Sequence, residues 1–462
     1  MQKNDYPFVV NNLPLGWLCD TANTSMGFTQ AHHPKHNRPE LITATDEGHL
    51  MTVARTGTGK TRSCAVPALL EYTGPMIVVD VKGELYDITA RRRRQMGHRV
   101  ICIDPWRVCG PITAGFNPLD IMRLPGVDPD DAAITMAAEI VGRNSSHTDR
   151  FWDDTSKALL AGMLAHLASL KNREQCRISR LREMFNEGDF SHYVATLLES
   201  GEVTSTLAKH EFGAFLQHAS GSTRPSVQSC AQQHVQLFTS NSVRAASDIS
   251  SFPLKHVIDG EAMTIYFVVP GHKLASHSNL MRLWIGSLTS ALATRRKAPP
   301  ERTLFLIDEA GTIGQLESLP MVMSLLRGLG VRVWTFWQDL SQLRKNYKED
   351  WEMLLNNCAA IQLFGAANKR VADDYAQLLG DRDGESLMLM DKDQAVVLHE
   401  GEKKSQLLRK MDYLEDPMFR NHYDSNRLHQ SDRQLDLFKP LKGLLAKNVI
   451  CFQPFLNRKK SG

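Results

Sequence analysis

Long apolar segments are absent from this sequence of 462 residues. A transmembrane helix needs about 18 or more apolar residues, and the most apolar stretches here, "MIVVDV" and "TIYFVVP", are much shorter. Closely spaced cysteine pairs are absent too, because the eight cysteines are scattered and form no C-x-x-C motif. With no secretory signal at the start, we expect reduced thiols, a cytoplasmic location and no transmembrane segment.

A strong excess of one charge is also lacking. The 54 lysines and arginines nearly balance the 51 aspartates and glutamates, which gives a net charge of +3 at pH 7. Composition therefore does not identify a nucleic-acid-binding protein, although a local basic face can exist on a nearly neutral chain. With 42% hydrophobic residues the chain can bury a sizeable core, and its length favours two or three domains.

The sequence does contain an alternation of short apolar runs and helical patterns. Runs rich in β-branched residues that alternate with helices are typical of a parallel sheet covered on both faces. A helix is predicted from Asn279 to about Arg295. The predicted strands are "HLMTVA" and residues 76–80, 99–104, 264–269, 303–308, 331–336 and 359–365.

Residues 121–255 depart from this alternation, because segments such as "TSKALLAGMLAHLASL" have helical spacing and none resembles a strand. We therefore predict an α/β domain formed by residues 46–120 and 256–425, with residues 121–255 inserted as an all-α domain. Residues 1–45 lack periodicity and are predicted to form an irregular N-terminal arm. Residues 426–462 are predicted to form a polar C-terminal tail.

The stretch "ARTGTGKT", residues 54–61, differs by one residue from the phosphate-loop pattern G-x-x-x-x-G-K-[ST], because Ala54 replaces the first glycine. Between a strand and a helix, the backbone N–H groups of such a loop bind phosphates. Alanine fits there if its φ angle is negative. Lys60 would bridge the phosphates of ATP, and the Thr61 hydroxyl would bind Mg²⁺. A glycine-rich turn without a ligand is the alternative; the candidate nucleotide-binding residues are Thr56, Gly57, Thr58, Gly59, Lys60 and Thr61.

Three polar residues follow two later strands. Asp308 and Glu309 come directly after "TLFLI", and Gln338 comes directly after "VRVWTFW". Asp308 would bind Mg²⁺ through water, and Glu309 would activate the attacking water as a general base. The amide of Gln338 would contact the γ-phosphate or that water. An acid pair without a function and a helix-capping role for Gln338 are the alternatives.

The order of these motifs resembles the TraG-like type IV coupling proteins, the RecA-like motor ATPases of conjugation and type IV secretion. The resemblance extends over roughly residues 45–425. "DVKGEL" and "FNPLD" are specific, because general P-loop proteins have no reason to carry both. The matching segments are "TGTGKT", "VVDVKGELYDIT", "GFNPLD", "FWDDTSKALL", "FLIDEAG" and "WQDLSQL", with weaker matches at "LFGAANKRVADDYAQLLGD" and "DYLEDPMFRNHYD".

The resemblance implies a RecA-like domain, ATP with Mg²⁺ at subunit interfaces and a homo-hexameric ring. The implied partners are single- or double-stranded DNA, a relaxase or another secreted protein, and components of the type IV secretion channel. Members usually begin with transmembrane helices, which this sequence lacks. We therefore expect the chain to reach the inner membrane as a peripheral protein through partners, or to work in the cytosol.

An ATP site between subunits needs a cation from the neighbouring subunit to neutralise transition-state charge. The candidates are Lys369, Arg370 and Arg382, of which we favour Arg370, with a charge on a helix surface as the alternative. The four arginines Arg91 to Arg94 wrap around one predicted helix. They are predicted to form mainly a solvated face. The more specific alternative is that they contact DNA phosphates or a neighbouring subunit.

The C-terminal tail contains "QLDLF", which resembles the peptide by which bacterial replication proteins bind the sliding clamp. In that interpretation Gln434, Leu435, Leu437 and Phe438 fill a hydrophobic pocket of the clamp. The alternative is that the apolar residues of this segment pack back onto the motor domain, since exposed apolar residues in a polar tail call for an explanation.

The sequence favours an ATP-hydrolysing DNA translocase or coupling protein for conjugative transfer or type IV secretion. The alternative from another class is a nucleotide-switched receptor for a protein substrate, with little motor activity. A P-loop kinase fits poorly, because no acceptor site is recognisable and "DVKGEL" with "FNPLD" would be unexplained.

Overall fold

A computed structural model of the chain describes residues 12–19, 40–44, 48–142 and 150–429. The strands in these residues are β1 (Leu13–Leu18), β2 (Leu41–Ala44), β3 (His49–Val53), β4 (Met76–Asp80), β5 (Arg99–Ile103), β6 (Met263–Val268), β7 (Thr303–Ile307), β8 (Val331–Trp337), β9 (Cys358–Phe364), β10 (Gln394–His399) and β11 (Gln406–Arg409). They form one sheet in the order β2-β1-β11-β10-β9-β3-β8-β7-β4-β6-β5.

Strands β3 to β9 form the parallel part of this sheet. Every residue of the central strands β3, β4, β7 and β8 is buried, and one hydrophobic core packs on each face of the sheet. Burial on both faces accounts for their continuous apolar runs. The seven strands predicted from those runs are all present, and each end agrees to within one residue.

Four antiparallel strands, β10, β11, β1 and β2, extend the sheet beyond β9. Two of them, β1 and β2, lie in residues 1–45, so the prediction of a wholly irregular N-terminal arm is wrong for these segments. Trp17 of β1 lies opposite Arg409 of β11, near the other end of the chain. Local periodicity carries no information about a pairing over that distance, and these strands are only four to six residues long.

The described chain between β5 and β6 contains helices and no strand. The helices of this segment are α3 (Pro129–Val141), α4 (Arg150–Ser169), α5 (Arg180–Met184), α6 (Phe190–Glu199), α7 (Thr206–Gln217), α8 (Thr223–His234), α9 (Asn241–Ser247) and α10 (Leu254–Asp259). Their apolar residues, among them Leu160 and Phe212, belong to the same hydrophobic core as Val53 and Ile77 of the sheet. We call this segment the helical insert.

The remaining helices follow the strands of the sheet. They are α1 (Val66–Glu71), α2 (Glu84–Gln95), α11 (Gly271–Ala293), α12 (Ala310–Ile313), α13 (Leu319–Leu325), α14 (Leu340–Asn346), α15 (Trp351–Asn356), α16 (Lys369–Leu379) and α17 (Gly384–Met388). Helix α11 begins eight residues before its predicted start at Asn279 and has a kink at His277, where φ is −131°. None of the helices in the described ranges combines the length and apolar character that crossing a bilayer requires.

The prediction that the arginines of α2 are mainly a solvated face is wrong for Arg93, which is completely buried. Four consecutive residues cover a full helical turn, so one of them must point at the sheet. Arg93 donates to the hydroxyl of Thr264 at 2.9 Å and to the carbonyl oxygens of Tyr72 and Gly74. Burial lowers the pKa of Arg93 to about 10. This arginine joins α2, β6 and the loop before β4.

Replacement of Arg93 by methionine should destabilise the fold by about 3 kcal/mol, because two buried carbonyl oxygens and a hydroxyl lose their donor. Arg94→Met, on the exposed side of the same helix, is the matched control and should change stability by less than about 0.5 kcal/mol. Chemical denaturation followed by circular dichroism measures both changes. Equal stability of the two variants would contradict this role of Arg93.

Candidate nucleotide-binding site

The phosphate loop, residues 54–61, leaves β3 at the centre of the sheet, between β9 and β8. The backbone N–H of Ala54 donates to the carbonyl oxygen of Trp337 on β8 at 2.8 Å. Ala54 is fully buried and does not have a positive φ angle. The methyl group at the first position of the pattern is therefore compatible with the loop, as required for the motif to be functional.

The glycines inside the loop have a different role. Gly57 and Gly59 have φ angles of +82° and +91°, a region that side chains with a Cβ rarely adopt. The chain then enters a wide π-helical turn, Thr61–Ala65, before α1 begins. Pro67 lacks the N–H that would continue regular α-helical bonding into this turn. The loop thus curls at glycines and ends in a helix N-terminus, the geometry that binds phosphate.

Lys60, Glu309 and Gln338 form one chain of contacts across the sheet edge. The Lys60 ammonium donates to one oxygen of Glu309 at 2.6 Å, and the Gln338 amide donates to its other oxygen at 2.9 Å. These residues follow β3, β7 and β8, which are adjacent strands. The three residues that the sequence placed in one site are therefore in direct contact.

Glu309 has an unusual backbone conformation and a lowered side-chain pKa. Its φ angle is +59°, which is uncommon for a residue with a side chain and is found most often at functional positions. Burial acts to raise the pKa of Glu309, but the hydrogen bonds from Lys60 and Gln338 outweigh it and keep the pKa below its usual value. The carboxylate is therefore ionised and can accept a proton.

Asp308 has the environment of a metal ligand. It is completely buried at the end of β7, and burial raises its pKa to about 7. Its Oδ1 atom has no hydrogen-bond partner, and a buried carboxylate oxygen without a partner is costly unless a cation is bound. Thr61 lines the cavity above the phosphate loop. Asp308 and Thr61 thus fit the oxygen ligands of a Mg²⁺ ion that keeps several waters.

A cavity of about 690 Å³ lies over the phosphate loop. Thr56, Gly59 and Lys60 line one part of it, and a second wall is formed by residues 413, 414 and 423–426, which include two aromatic side chains, Tyr413 and Tyr423. The sequence indicated this second wall only as the weak family match "DYLEDPMFRNHYD". The cavity has the size and the mixed polar and aromatic lining expected of a nucleotide site.

Lys82 and Glu84 of the "DVKGEL" segment also line the cavity. Asp80, at the end of β4, accepts backbone hydrogen bonds from Lys82, Gly83 and Tyr86 and so fixes the turn. Gly83 has a φ of +76°, and a Cβ there would lie 2.7 Å from a cysteine sulfur, so only glycine fits. Burial raises the pKa of Asp80 to about 6. Asp80 and Gly83 of this motif are therefore needed to form the turn and to pack it closely.

Two basic residues connect residues 410–412 with the phosphate loop and with the turn that follows it. Lys410, directly after β11, donates to the carbonyl oxygen of Thr58 at 2.9 Å and lies 4.4 Å from the ring centre of Phe364. Arg62 donates to Asp412 at 2.5 Å. The strand pairing of β11 therefore determines where the loop lies. Lys410 is not among the residues predicted from the sequence, and no local pattern marks it.

The remaining predicted residues lie apart from this cluster or outside the structure. Arg370 is exposed in the first turn of α16, which follows β9. Arg382 donates to the hydroxyl and the carbonyl oxygen of Ser405. The clamp-like residues Gln434, Leu435, Leu437 and Phe438 lie outside the described residues.

Replacement of Lys410 by methionine should weaken nucleotide binding about fivefold, because the loop loses a hydrogen bond worth about 1 kcal/mol. Lys404→Met, an exposed lysine in the turn before β11, should leave affinity unchanged. Titration with a fluorescent ATP analogue measures both dissociation constants. Identical affinities in the two variants would show that Lys410 does not position the loop.

Comparison with known proteins relates this site to one family. Residues 23–385 match the family described as "Type IV secretory system Conjugative DNA transfer". The chain is 25% identical over 377 residues to the conjugal transfer protein TraG of Escherichia coli, with 76% of this chain and 56% of the relative covered. It is 26% identical over 348 residues to the protein VirD4 of Agrobacterium fabrum, with 74% and 50% covered. The chain thus spans about half the length of these curated relatives.

Solved structures agree with this fold. The plasmid coupling protein TrwB in complex with a non-hydrolysable ATP analogue superposes with a TM-score of 0.65 at 16% identity, covering 92% of this chain and 99% of that one. TrwB in complex with ADP and Mg²⁺ gives a TM-score of 0.62 at 17% identity, covering 82% and 87%. The predicted fold class, a RecA-like P-loop domain with an all-α insertion, is confirmed. Since the family match includes most of the sequence, the chain belongs to the type IV secretory system conjugative DNA transfer family.

Proposed function

We propose that this chain hydrolyses ATP and uses the energy to move DNA or a nucleoprotein substrate in conjugative transfer or type IV secretion. The observation that carries the proposal is the contact of Lys60 and Gln338 with Glu309 at the carboxyl ends of adjacent strands. A phosphate-binding lysine, a general base and a sensing amide thus meet in one site. Family membership supports the role in DNA transfer.

In the proposed mechanism, Lys60 leaves Glu309 for the phosphates when ATP enters, because phosphate oxygens are strong acceptors for an ammonium group. Glu309 then takes a proton from water while the water oxygen bonds to the γ-phosphorus and the bond to ADP breaks. Thr61 and Asp308 would hold Mg²⁺, which neutralises charge on the phosphate oxygens. Gln338 would change partner with nucleotide state and so report hydrolysis to β8.

We further propose that the chain works as a homo-hexamer with the neighbouring subunit supplying Arg370 to each site. Arg370 is exposed and follows β9, which runs parallel to β3 beside the phosphate loop. Arg382 is a weaker candidate, because hydrogen bonds to Ser405 hold its side chain. The proposed partners are single- or double-stranded DNA, a relaxase or another secreted protein, and secretion-channel components.

ATP hydrolysis measured with no DNA, with single-stranded DNA and with duplex DNA tests the proposal. DNA should stimulate turnover of the parent chain, and Lys60→Ala should abolish it. Glu309→Gln should lower turnover by about 100-fold or more, because the general base is lost. The Glu309→Gln variant should still bind ATP, since the side chain at position 309 takes no part in phosphate binding.

Matched variants distinguish the loss of a site residue from general damage to the fold. Glu301→Gln, at the start of the segment leading into β7, should retain full turnover, and Arg370→Ala should lose turnover while retaining ATP binding. Hydrolysis that persists in a clean preparation of Lys60→Ala would refute the assignment of this loop. Slow turnover unaffected by DNA, together with affinity for a protein partner, would instead favour the nucleotide-switched receptor.

Magnesium-dependent ATP binding should weaken below pH 7. The pKa of Asp308 is raised to about 7 by burial, so the carboxyl is protonated below that pH and ionised above it. A metal ligand must be ionised, and affinity should therefore fall roughly tenfold per pH unit below about 7 and level off above it.

The terminal phosphate of ATP also titrates, with a second pKa of about 6, so Asp308→Asn is the control. This variant should bind weakly at every pH and should lose the part of the slope that belongs to Asp308. Titrations with Mg²⁺ from about pH 6 to about pH 8 measure the effect. A slope that is the same in both proteins would contradict the role of Asp308.

A further inference from the structure

Three side chains of metal-ligand type converge at one point in the helical insert, away from the nucleotide site. Among the described residues, Asp153, Cys230 and His234 each offer a ligand atom, and these atoms all lie within 4.8 Å of one another. Cys230 and His234 are separated by four residues on α8, so they share one face of that helix. Asp153 lies in the first turn of α4, which packs against α8.

The distances fit a tetrahedral zinc site. The Cys230 sulfur lies 3.8 Å from Nε2 of His234, and the same nitrogen lies 3.6 Å from Oδ1 of Asp153. Zinc bonds of about 2.3 Å to sulfur and about 2.0 Å to nitrogen or oxygen give separations of about 3.6 Å and about 3.3 Å at tetrahedral angles. These two separations would need to close by about 0.2 Å and about 0.3 Å, and the Cys230 sulfur and the Asp153 oxygen, which lie within 4.8 Å of each other, would close onto the same ion.

The same contacts exclude a nucleophilic cysteine triad. In a triad the imidazole joins the nucleophile through one ring nitrogen and the carboxylate through the other. Here the sulfur and the carboxylate oxygen approach the same nitrogen, Nε2 of His234. Three ligand atoms within 4.8 Å of one another fit a coordination sphere better than a triad.

We propose that Asp153, Cys230 and His234 bind a zinc ion, with water at the fourth position. A thiolate and a carboxylate balance the charge of Zn²⁺, so the complex is neutral beside the nearby cations Lys157 and Arg282. The side chains of His234 and Asp153 are 18% and 11% exposed, which leaves an entry path for the ion and space for the water.

The ion would join three helices. His234 is the last residue of α8, where terminal carbonyl groups favour a nearby positive charge. Its own carbonyl oxygen accepts a hydrogen bond from Asn279 of α11 at 3.1 Å. Zinc bound here would therefore fix α8 to α4 directly and to α11 through Asn279.

Zinc content and cobalt spectra test the site. The parent chain, purified without chelator, should contain one zinc per chain by mass spectrometry, and Co²⁺ should give a thiolate charge-transfer band. Replacing a group that only hydrogen-bonds to a metal ligand typically weakens metal affinity about 10- to 100-fold. Asp153→Asn, Cys230→Ser and His234→Gln remove ligands themselves, so each should weaken metal affinity by more than that. Asp154→Asn and His210→Gln, which change exposed residues of the same types, should retain the metal.

Two further measurements keep the result interpretable if a variant folds poorly. Chelation should lower the thermal midpoint of the parent chain but not that of Asp153→Asn, because only bound metal stabilises the fold. Cys102→Ser removes a ligand from the other three-residue group of the described chain, Cys102, Asp104 and Cys109. Loss of zinc in that variant, or a parent chain that binds neither zinc nor cobalt, would overturn the proposal.

Discussion

The ion pair between Lys60 and Glu309 is the contact on which the candidate site depends. It joins the phosphate loop after β3 to the end of β7, although another strand, β8, lies between them. Such a contact is possible because the parallel strands end in register, with Val53 opposite Trp337 and Ile307 opposite Thr335. The burial of both faces of the sheet fixes this register, since a shift by one residue would turn every side chain to the opposite face.

The antiparallel edge of the sheet supplies the other half of the site. Strand β11 brings Lys410 to the carbonyl oxygen of Thr58, and the chain that follows covers the cavity with Tyr413 and Tyr423. At the same edge, the indole of Trp17 on β1 donates to Asp416 at 3.2 Å. Strands from both ends of the chain therefore hold the wall that faces the phosphate loop.

The parts of the molecule that the sequence predicted are those in which local pattern and burial agree. A strand buried on both faces must be apolar throughout, so β3 to β9 could be located, and the phosphate loop carries its own geometry at Gly57 and Gly59. The antiparallel strands β1, β2, β10 and β11 were missed because they are only four to six residues long, and because β1 pairs with β11, which is distant along the chain. The burial of Arg93 could not be predicted, because four consecutive arginines on a helix do not reveal which one faces the sheet. Lys410 has no neighbours in sequence that mark its role.

The connection between the site and the helical insert follows from the same contacts. Glu309 leads directly into α12, and the segment after α12 reaches Ser318, whose backbone N–H donates to Glu139 at 3.1 Å. Glu139 lies on α3 of the insert and is almost completely buried. Glu309 is thus connected to α3 by a short backbone segment and one buried hydrogen bond, and in the proposed mechanism a shift of Glu309 when Lys60 turns to a phosphate would reach the insert at Glu139.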